Sequence, residues 1–89
     1  MRFSHILVKH EYEARDIERK LAAGDDFAGL ARKFSSCGSA QAGGDLGDLT
    51  GKMNRLDEVF REAAETLKVG ERSHPVRTRF GYHLILRVA

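Results

Sequence analysis

The segment Phe3–Val8 limits the folds open to this chain more than any other feature. Its apolar residues occupy both odd and even positions of a short extended run, which predicts a strand covered on both faces. Such a strand depends on the remaining elements for its cover. Because the chain has only 89 residues, we expect one domain spanning residues 1–89, with its elements sharing a single core.

Three helices are predicted from apolar residues spaced three or four positions apart. The first covers about residues 11–23 and stops before a glycine. The second follows a cap at Asp25 or Asp26. The third covers about residues 54–67, with Asn54 as its cap, and has the strongest periodicity of the three.

Extended segments complete the pattern. A loop rich in Ser, Gly and Ala over 35–44 leads to a short strand at 45–49, and two further strands are predicted at 73–78 and 82–88. Pro75 should lie at a strand start or a sheet edge, because proline cannot donate a hydrogen bond to a ladder. The order of strand, two or three helices, strand, helix and two strands predicts an α+β domain with a mainly antiparallel sheet.

Charge and composition argue against several classes of function. Fifteen Lys and Arg against thirteen Asp and Glu give a formal charge of +2, too small an excess to indicate a nucleic-acid partner. No run approaches the roughly 20 apolar residues that cross a bilayer, and the first residues lack the pattern of a signal peptide. Cys37 is the only cysteine, which fits a reducing compartment. We expect a cytoplasmic monomer without membrane partners.

Three side chains have the chemistry of a functional site, namely His5, Cys37 and His83. Zinc binding is disfavoured because the chain has no Cys-x-x-Cys or His-x-x-x-His pair. A thiol–imidazole nucleophile remains open, although no oxyanion-binding motif accompanies it. A phosphate-binding loop fails because Leu46 and Met53 stand where that motif needs Gly and Ser or Thr. Taken singly, each of the three is also compatible with an ordinary buried position.

Four blocks of the sequence, in the same order, are similar to those of the parvulin-type peptidyl-prolyl cis/trans isomerases and cover nearly the whole chain. They are Ser4–Lys9, Phe34–Ala40 followed by Gly44–Gly47, Leu67–Glu71 followed by Pro75–Val76, and Phe80–Ile85. The resemblance implies an FKBP-like fold, in which three to four helices surround a four-stranded, mainly antiparallel sheet in the order β-α-α(-α)-β-α-β-β. It also implies that the domain works with no cofactor and no metal.

The resemblance further implies roles for individual residues. Catalytic roles fall to the histidines of the first and last strands, the loop cysteine and the threonine before the final turn, which are His5, His83, Cys37 and Thr78. Substrate binding falls to the apolar residues Leu46, Met53, Phe60 and Phe80. The chain is about two residues longer than is usual in the family between Gly47 and Phe60, so Leu56 is an alternative to Met53 in the proline-binding cup.

The implied function is non-covalent acceleration of rotation about Xaa-Pro bonds in peptides and in unfolded or flexible proteins. Some eukaryotic parvulins carry a long basic loop after the first strand that selects phosphorylated substrates. Here Lys9 is followed by a short acidic connection with Glu11 and Glu13, so no phosphate requirement is expected. Two alternatives remain: a proline-binding or chaperone module with little turnover, and a cysteine hydrolase or redox protein. The second lacks an evident base-orienting acid or resolving cysteine.

Overall fold

The computed structural model describes all 89 residues, Met1–Ala89, as four strands, three α-helices and two short 3₁₀ helices. The strands are β1 (Arg2–Val8), β2 (Asp45–Asp48), β3 (Val76–Thr78) and β4 (Gly81–Arg87). The α-helices are α1 (Glu11–Ala22), α2 (Phe27–Phe34) and α3 (Glu58–Glu65), and the 3₁₀ helices are Gly38–Ala42 and Met53–Arg55. This order confirms the predicted α+β class. None of the helices has the length and apolar character that crossing a membrane requires.

The sheet has the strand order β2-β1-β4-β3, and every neighbouring pair is antiparallel. The two longest strands, β1 and β4, are central and pair from Phe3 opposite Arg87 to Val8 opposite Tyr82. The two ends of the chain therefore lie side by side. Pro75 immediately precedes the edge strand β3, as predicted for a residue without a backbone donor.

Each face of the sheet has its own group of buried apolar residues. One group packs between the sheet and helices α1 and α2, and includes Ile6, Val8 and Leu84. The other packs under α3 and includes Phe3, Phe60 and Ile85. The prediction of both-sided cover for β1 is confirmed. The prediction of a single shared core is wrong, because a strand with apolar residues at both parities needs a separate partner on each face.

The start of α3 differs from the predicted one. Asn54 does not cap the helix, because it lies within the 3₁₀ helix Met53–Arg55 and the next residue, Leu56, is extended. The cap is Asp57, whose Oδ1 accepts hydrogen bonds from the backbone N–H groups of Val59 at 3.0 Å and Phe60 at 3.2 Å. The apolar spacing over 54–67 continues from the 3₁₀ helix into α3, so the sequence pattern does not show the change of backbone direction between these two elements.

The ends of the other two helices follow the sequence signals. Asp26 caps α2 by accepting a hydrogen bond from the N–H of Gly29 at 3.0 Å, which selects it over Asp25. Helix α1 ends at Ala22, and Gly24 then adopts a left-handed conformation with φ of 99°. These caps position α1 and α2 against one face of the sheet and leave the other face to α3.

Candidate active site

The register of the two central strands brings His5 and His83 together. His5 pairs with Ile85 and His83 with Leu7, so the two histidines lie diagonally on the same face of the sheet. Their Nδ1 atoms are 3.0 Å apart, and their rings are nearly parallel, with an interplanar angle of 16°. Both side chains are buried. Two neutral imidazoles at this distance share one proton between the facing nitrogens, one ring donating and the other accepting.

Thr78 extends the pair into a network. It ends β3 opposite Gly81 of β4, and its Oγ1 lies 2.7 Å from Nε2 of His83. The same oxygen accepts a hydrogen bond from the backbone N–H of Phe80 at 3.1 Å. The turn between the last two strands is thereby bonded to His83 and, through the ring of His83, linked to His5. The pattern fixes the orientation of the His83 ring, since both of its nitrogens have partners.

The site keeps its imidazoles neutral. Burial, followed by the neighbouring His83, lowers the pKa of His5 from 6.5 to about 4. Burial also lowers the pKa of His83, although the carboxylate of Asp57 opposes that shift. Both rings are therefore uncharged near pH 7. The Nε2 atom of His5 is buried and has no hydrogen-bond partner, which leaves one polar atom of the network unsatisfied.

Phe60 from α3 covers the histidine pair. Its ring meets that of His5 edge to face, with centroids 5.4 Å apart, and that of His83 in the same way at 5.1 Å. Beside this cluster lies a groove of about 280 Å³. It is lined by His5, Leu7, Cys37, Leu46, Arg55, Leu56, Asp57, Phe60, Phe80 and His83. Apolar side chains thus form most of the groove wall, and the imidazoles provide its polar part.

Cys37 lines the groove but does not join the hydrogen-bond network. It follows α2, and its backbone N–H bonds to Oγ of Ser35 at 3.3 Å. The same Ser35 oxygen accepts from the N–H of Leu7 at 3.0 Å, so the loop is fixed to the end of β1. None of the hydrogen bonds in the structure involves the Cys37 sulfur. The Cys37 loop and the strands that carry His5 and His83 meet at the groove, where Cys37 forms part of the wall without a hydrogen bond to its sulfur.

Gly44 holds β2 against β1 next to His5. Its carbonyl accepts a hydrogen bond from the N–H of His5 at 2.9 Å, and its φ is 86°. A Cβ at this position would come within 2.4 Å of the His5 carbonyl oxygen. Only glycine allows this approach. The contact sets the position of Leu46, two residues later, on the groove wall.

The apolar wall uses Leu56 rather than Met53. Leu56, which follows the 3₁₀ helix Met53–Arg55, lines the groove, and Met53 does not, although both side chains pack against the core group under α3. The assignment of Met53 to the groove is therefore not supported, and the alternative is. Phe80 lies at the rim and is 58% exposed.

Sequence reasoning missed three lining residues, Leu7, Arg55 and Asp57. Leu7 could have been found by parity, since it lies two positions after His5 on the same strand face. Asp57 could have been found as a cap three residues before Phe60. Nothing in the sequence pattern indicates Arg55. No group of three or more His, Cys, Asp or Glu residues is arranged to hold a metal ion.

Comparisons with known proteins agree with this geometry. The sequence model of the family described as "Rotamase: PPIC-type PPIASE domain" matches residues 5–89. The foldase protein PrsA of Bacillus subtilis is 47% identical over 85 residues, which are 96% of this chain and 29% of that protein. PrsA of Geobacillus kaustophilus is 52% identical over 87 residues, or 96% of this chain and 30% of that protein. The chain thus spans less than a third of these relatives.

Solved structures give the same result. The crystal structure of PrsA from Bacillus subtilis matches with a TM-score of 0.90 and 44% identity, over 100% of this chain and 34% of that one. The solution structure of NmPin, the parvulin of Nitrosopumilus maritimus, matches with a TM-score of 0.86 and 42% identity, over 100% of this chain and 95% of that one. With the family match covering all but the first four residues, this chain belongs to the PPIC-type, or parvulin, family of peptidyl-prolyl cis/trans isomerases.

Proposed function

We propose that the groove binds a prolyl residue and accelerates rotation about the preceding peptide bond. The main support is the hydrogen-bonded network of His5, His83 and Thr78. It lies beside a groove whose apolar wall includes Leu46, Leu56 and Phe60. The family match supplies the reaction class. The substrates are proline-containing segments of peptides and of unfolded or flexible proteins, in keeping with the word foldase in the name of the PrsA relatives.

The reaction suits a site without cofactor or nucleophile. Rotation about an amide breaks its conjugation against a barrier of roughly 18–20 kcal/mol, and no covalent bond must form. A site accelerates the rotation by binding the twisted amide more tightly than either planar form. The twisted amide is less charge-separated and loses less on leaving water, so an apolar wall such as Leu46, Leu56 and Phe60 favours it.

The neutral histidine network has a positioning task. Because the facing nitrogens of His5 and His83 share a proton and Thr78 holds the far side of His83, the polar floor keeps one orientation while the substrate carbonyl swings. Such preorganised dipoles stabilise a changing charge distribution without rearranging during the reaction. A charged imidazole would instead attract water into the groove.

We infer that Cys37 forms no covalent adduct. Cys37 lines the groove and its sulfur has no hydrogen-bonded base, so no neighbouring group activates it as a nucleophile. Cys37→Asp should therefore retain measurable activity, and Cys37→Ser should be impaired but active. Mass spectrometry of the protein with substrate peptide is the check, and an adduct on Cys37 would contradict the proposal.

We also propose that substrates need no phosphate. The connection after β1 consists of Lys9 and His10 alone, and the first turn of α1 carries Glu11 and Glu13. This short connection holds no cluster of Arg and Lys side chains of the kind that binds a phosphate. A pair of peptides with Ser-Pro and phosphoserine-Pro tests the point. Turnover of the phosphorylated peptide alone would overturn it.

The rival function is binding of proline segments without turnover. Two-dimensional exchange NMR on Ala-Xaa-Pro-Phe peptides with substoichiometric protein separates the two. Exchange between cis and trans resonances that scales with protein concentration supports catalysis, whereas shift changes without exchange support binding alone. His83→Ala and a variant of an exposed residue on the opposite face, Arg19→Gln, serve as test and control.

We further propose that the domain is monomeric and cytoplasmic, and that it has no nucleic-acid or membrane partner. Free Cys37 supports a reducing compartment. The outer face of α1 carries ion pairs such as Arg15–Glu11 and Arg19–Asp16, which support a solvated surface rather than an interface. Sedimentation over a range of concentrations tests the monomer, and fractionation of source cells tests the compartment.

A further inference from the structure

Serine side chains complete the outer edge of β1 where its neighbour β2 ends. The pairing of β2 with β1 reaches no further than Ser4. Near the other end of β1, Leu7 takes its partners from the segment that follows α2: its N–H donates to Oγ of Ser35 at 3.0 Å, and its carbonyl accepts from the N–H of Ser36 at 2.8 Å. The hydroxyl oxygen of Ser35 thus replaces the strand carbonyl that β2 does not provide.

The same hydroxyl oxygen also holds Cys37. It accepts a hydrogen bond from the N–H of Cys37 at 3.3 Å, so a single atom joins the end of β1 to a residue of the groove wall. The hydroxyl of Ser36 has a lesser task, because it donates to the Leu7 carbonyl at 3.2 Å, and the Ser36 N–H already bonds to that carbonyl. Loss of the Ser35 hydroxyl therefore leaves two N–H groups without these partners, whereas loss of the Ser36 hydroxyl leaves none.

The segment from Phe34 to Cys37 lies between two open spaces. Leu7 and Cys37 line the groove, whereas Val8 and Phe34 line a second cavity, of about 310 Å³. Successive residues of a strand face opposite sides of the sheet, which is why Leu7 and Val8 border different spaces. Packing restrains this segment less than it would in a filled core, so its position depends more on the hydrogen bonds to Leu7.

We propose that Ser35 is a positioning residue that fixes the groove wall at Cys37 and thereby limits the size of the residue accepted before the proline. This inference rests on the proposed isomerase function. Leu7 pairs with His83 and lies on the same strand face as His5, so the wall tied to Leu7 borders the polar floor over which the substrate carbonyl swings. Ser35 does not line the groove and acts through Cys37.

Exchange NMR on two peptides measures this limit. The ratio of kcat/KM for Ala-Leu-Pro-Phe to that for Ala-Ala-Pro-Phe compares a large with a small residue before the proline. Ser35→Ala should raise the ratio about threefold above the native one, because a wall that is no longer fixed gives way to the larger side chain. The ratio within one variant is insensitive to a general loss of folded protein, so a purely structural role would leave it unchanged.

Two further variants serve as matched controls. Ser35→Thr retains a hydroxyl oxygen that can accept from both N–H groups, and it should keep the native ratio. Ser36→Ala removes the neighbouring hydroxyl without leaving a backbone group unpaired, and it should also keep the native ratio.

The reactivity of the thiol reports on the wall without any substrate. Cys37 is the only cysteine, so the reaction of the folded protein with a nitrobenzoate disulfide reagent follows this one residue. The reaction rate should rise several-fold in Ser35→Ala, since a released segment exposes the sulfur more often, and it should stay near the native rate in Ser36→Ala.

The outcomes separate the inference from the function on which it rests. A native peptide ratio in Ser35→Ala, a rise of equal size in Ser36→Ala, or a failure of Ser35→Thr to keep the native ratio overturns the inference and leaves the isomerase function standing. If Ser35→Ala does not fold, hydrogen exchange of the native protein decides: amides of Leu7 and Cys37 that exchange as fast as in an unstructured chain overturn the inference, and protected amides support it. Failure of the native protein to turn over either peptide refutes the isomerase function, and the inference falls with it.

Discussion

Acid should destabilise this domain through its buried histidine pair. Burial and the neighbouring His83 hold the pKa of His5 at about 4 in the folded protein, against 6.5 for an ordinary histidine. The unfolded chain therefore takes up a proton on His5 at higher pH than the folded chain does. Stability is complete above pH 6.5 and is lost as the pH falls toward 4.

The pKa difference gives the magnitude. A shift from 6.5 to about 4 corresponds to roughly 3 kcal/mol of unfolding free energy in total, of which about 2 kcal/mol is lost between pH 7.5 and pH 5. The pKa of His83 is lowered too, so it acts in the same direction. The lowered pKa values of Asp45 and Asp48 act mainly below pH 5, because both carboxylates remain ionised above it.

Urea unfolding at pH 7.5 and pH 5 measures the effect. Circular dichroism is the suitable signal because the chain has no Trp. With a slope of about 1 kcal/mol per molar urea, the midpoint should drop by about 2 M. His5→Asn keeps a polar group near His83 but removes the titrating ring, so its midpoint should move much less. His10→Gln removes an exposed imidazole and should behave like the native protein.

Two results would refute this reasoning. The first is a native midpoint that is equal at the two pH values, which would mean that the histidine pair is not held neutral. The second is a His5→Asn midpoint that drops as far as the native one, which would place the acid sensitivity elsewhere.

With the folded fraction taken into account, kcat/KM should also fall as the pH approaches 4, since protonation adds a charge beside the groove.

The other predictions concern single contacts. Thr78→Val leaves the buried Nε2 of His83 and the partly buried N–H of Phe80 without their partner. It should lower kcat, and it should lower the unfolding free energy measured in urea by about 1–3 kcal/mol, whereas Thr78→Ser should restore most of both. Gly44→Ala combines a positive φ with a backbone clash and should lower the free energy of unfolding by about 2–4 kcal/mol. Gly47→Ala is the control, because its φ is also positive but no atom lies near the added Cβ, and it should lower that free energy less. Equal losses in the two variants would contradict the clash. Leu56→Ala should raise KM several-fold in peptide kinetics, because Leu56 lines the groove. Met53→Ala should lower stability without changing KM. The reverse pattern would contradict the assignment of Leu56, rather than Met53, to the groove wall.

Several features of the fold and site could be predicted from local sequence. The caps and apolar periodicity specified α1 and α2, because a helix is defined by residues three or four positions apart. The parity of Phe3–Val8 specified a strand covered on both faces. The resemblance of four blocks indicated the family, and with it the histidines, the loop cysteine and the threonine.

Contacts between distant segments could be read only from the tertiary structure. The boundary between Met53–Arg55 and α3 is hidden in the sequence, because apolar spacing continues across a change of backbone direction. The choice of Leu56 over Met53, and the position of Arg55 at the groove, follow from that turn. The pKa of His5 likewise depends on strand register and on burial under Phe60, which arise from residues more than 50 positions away in the chain. Local sequence patterns determine the helices and strands, whereas the charge and solvent exposure of a site depend on how those helices and strands pack around it.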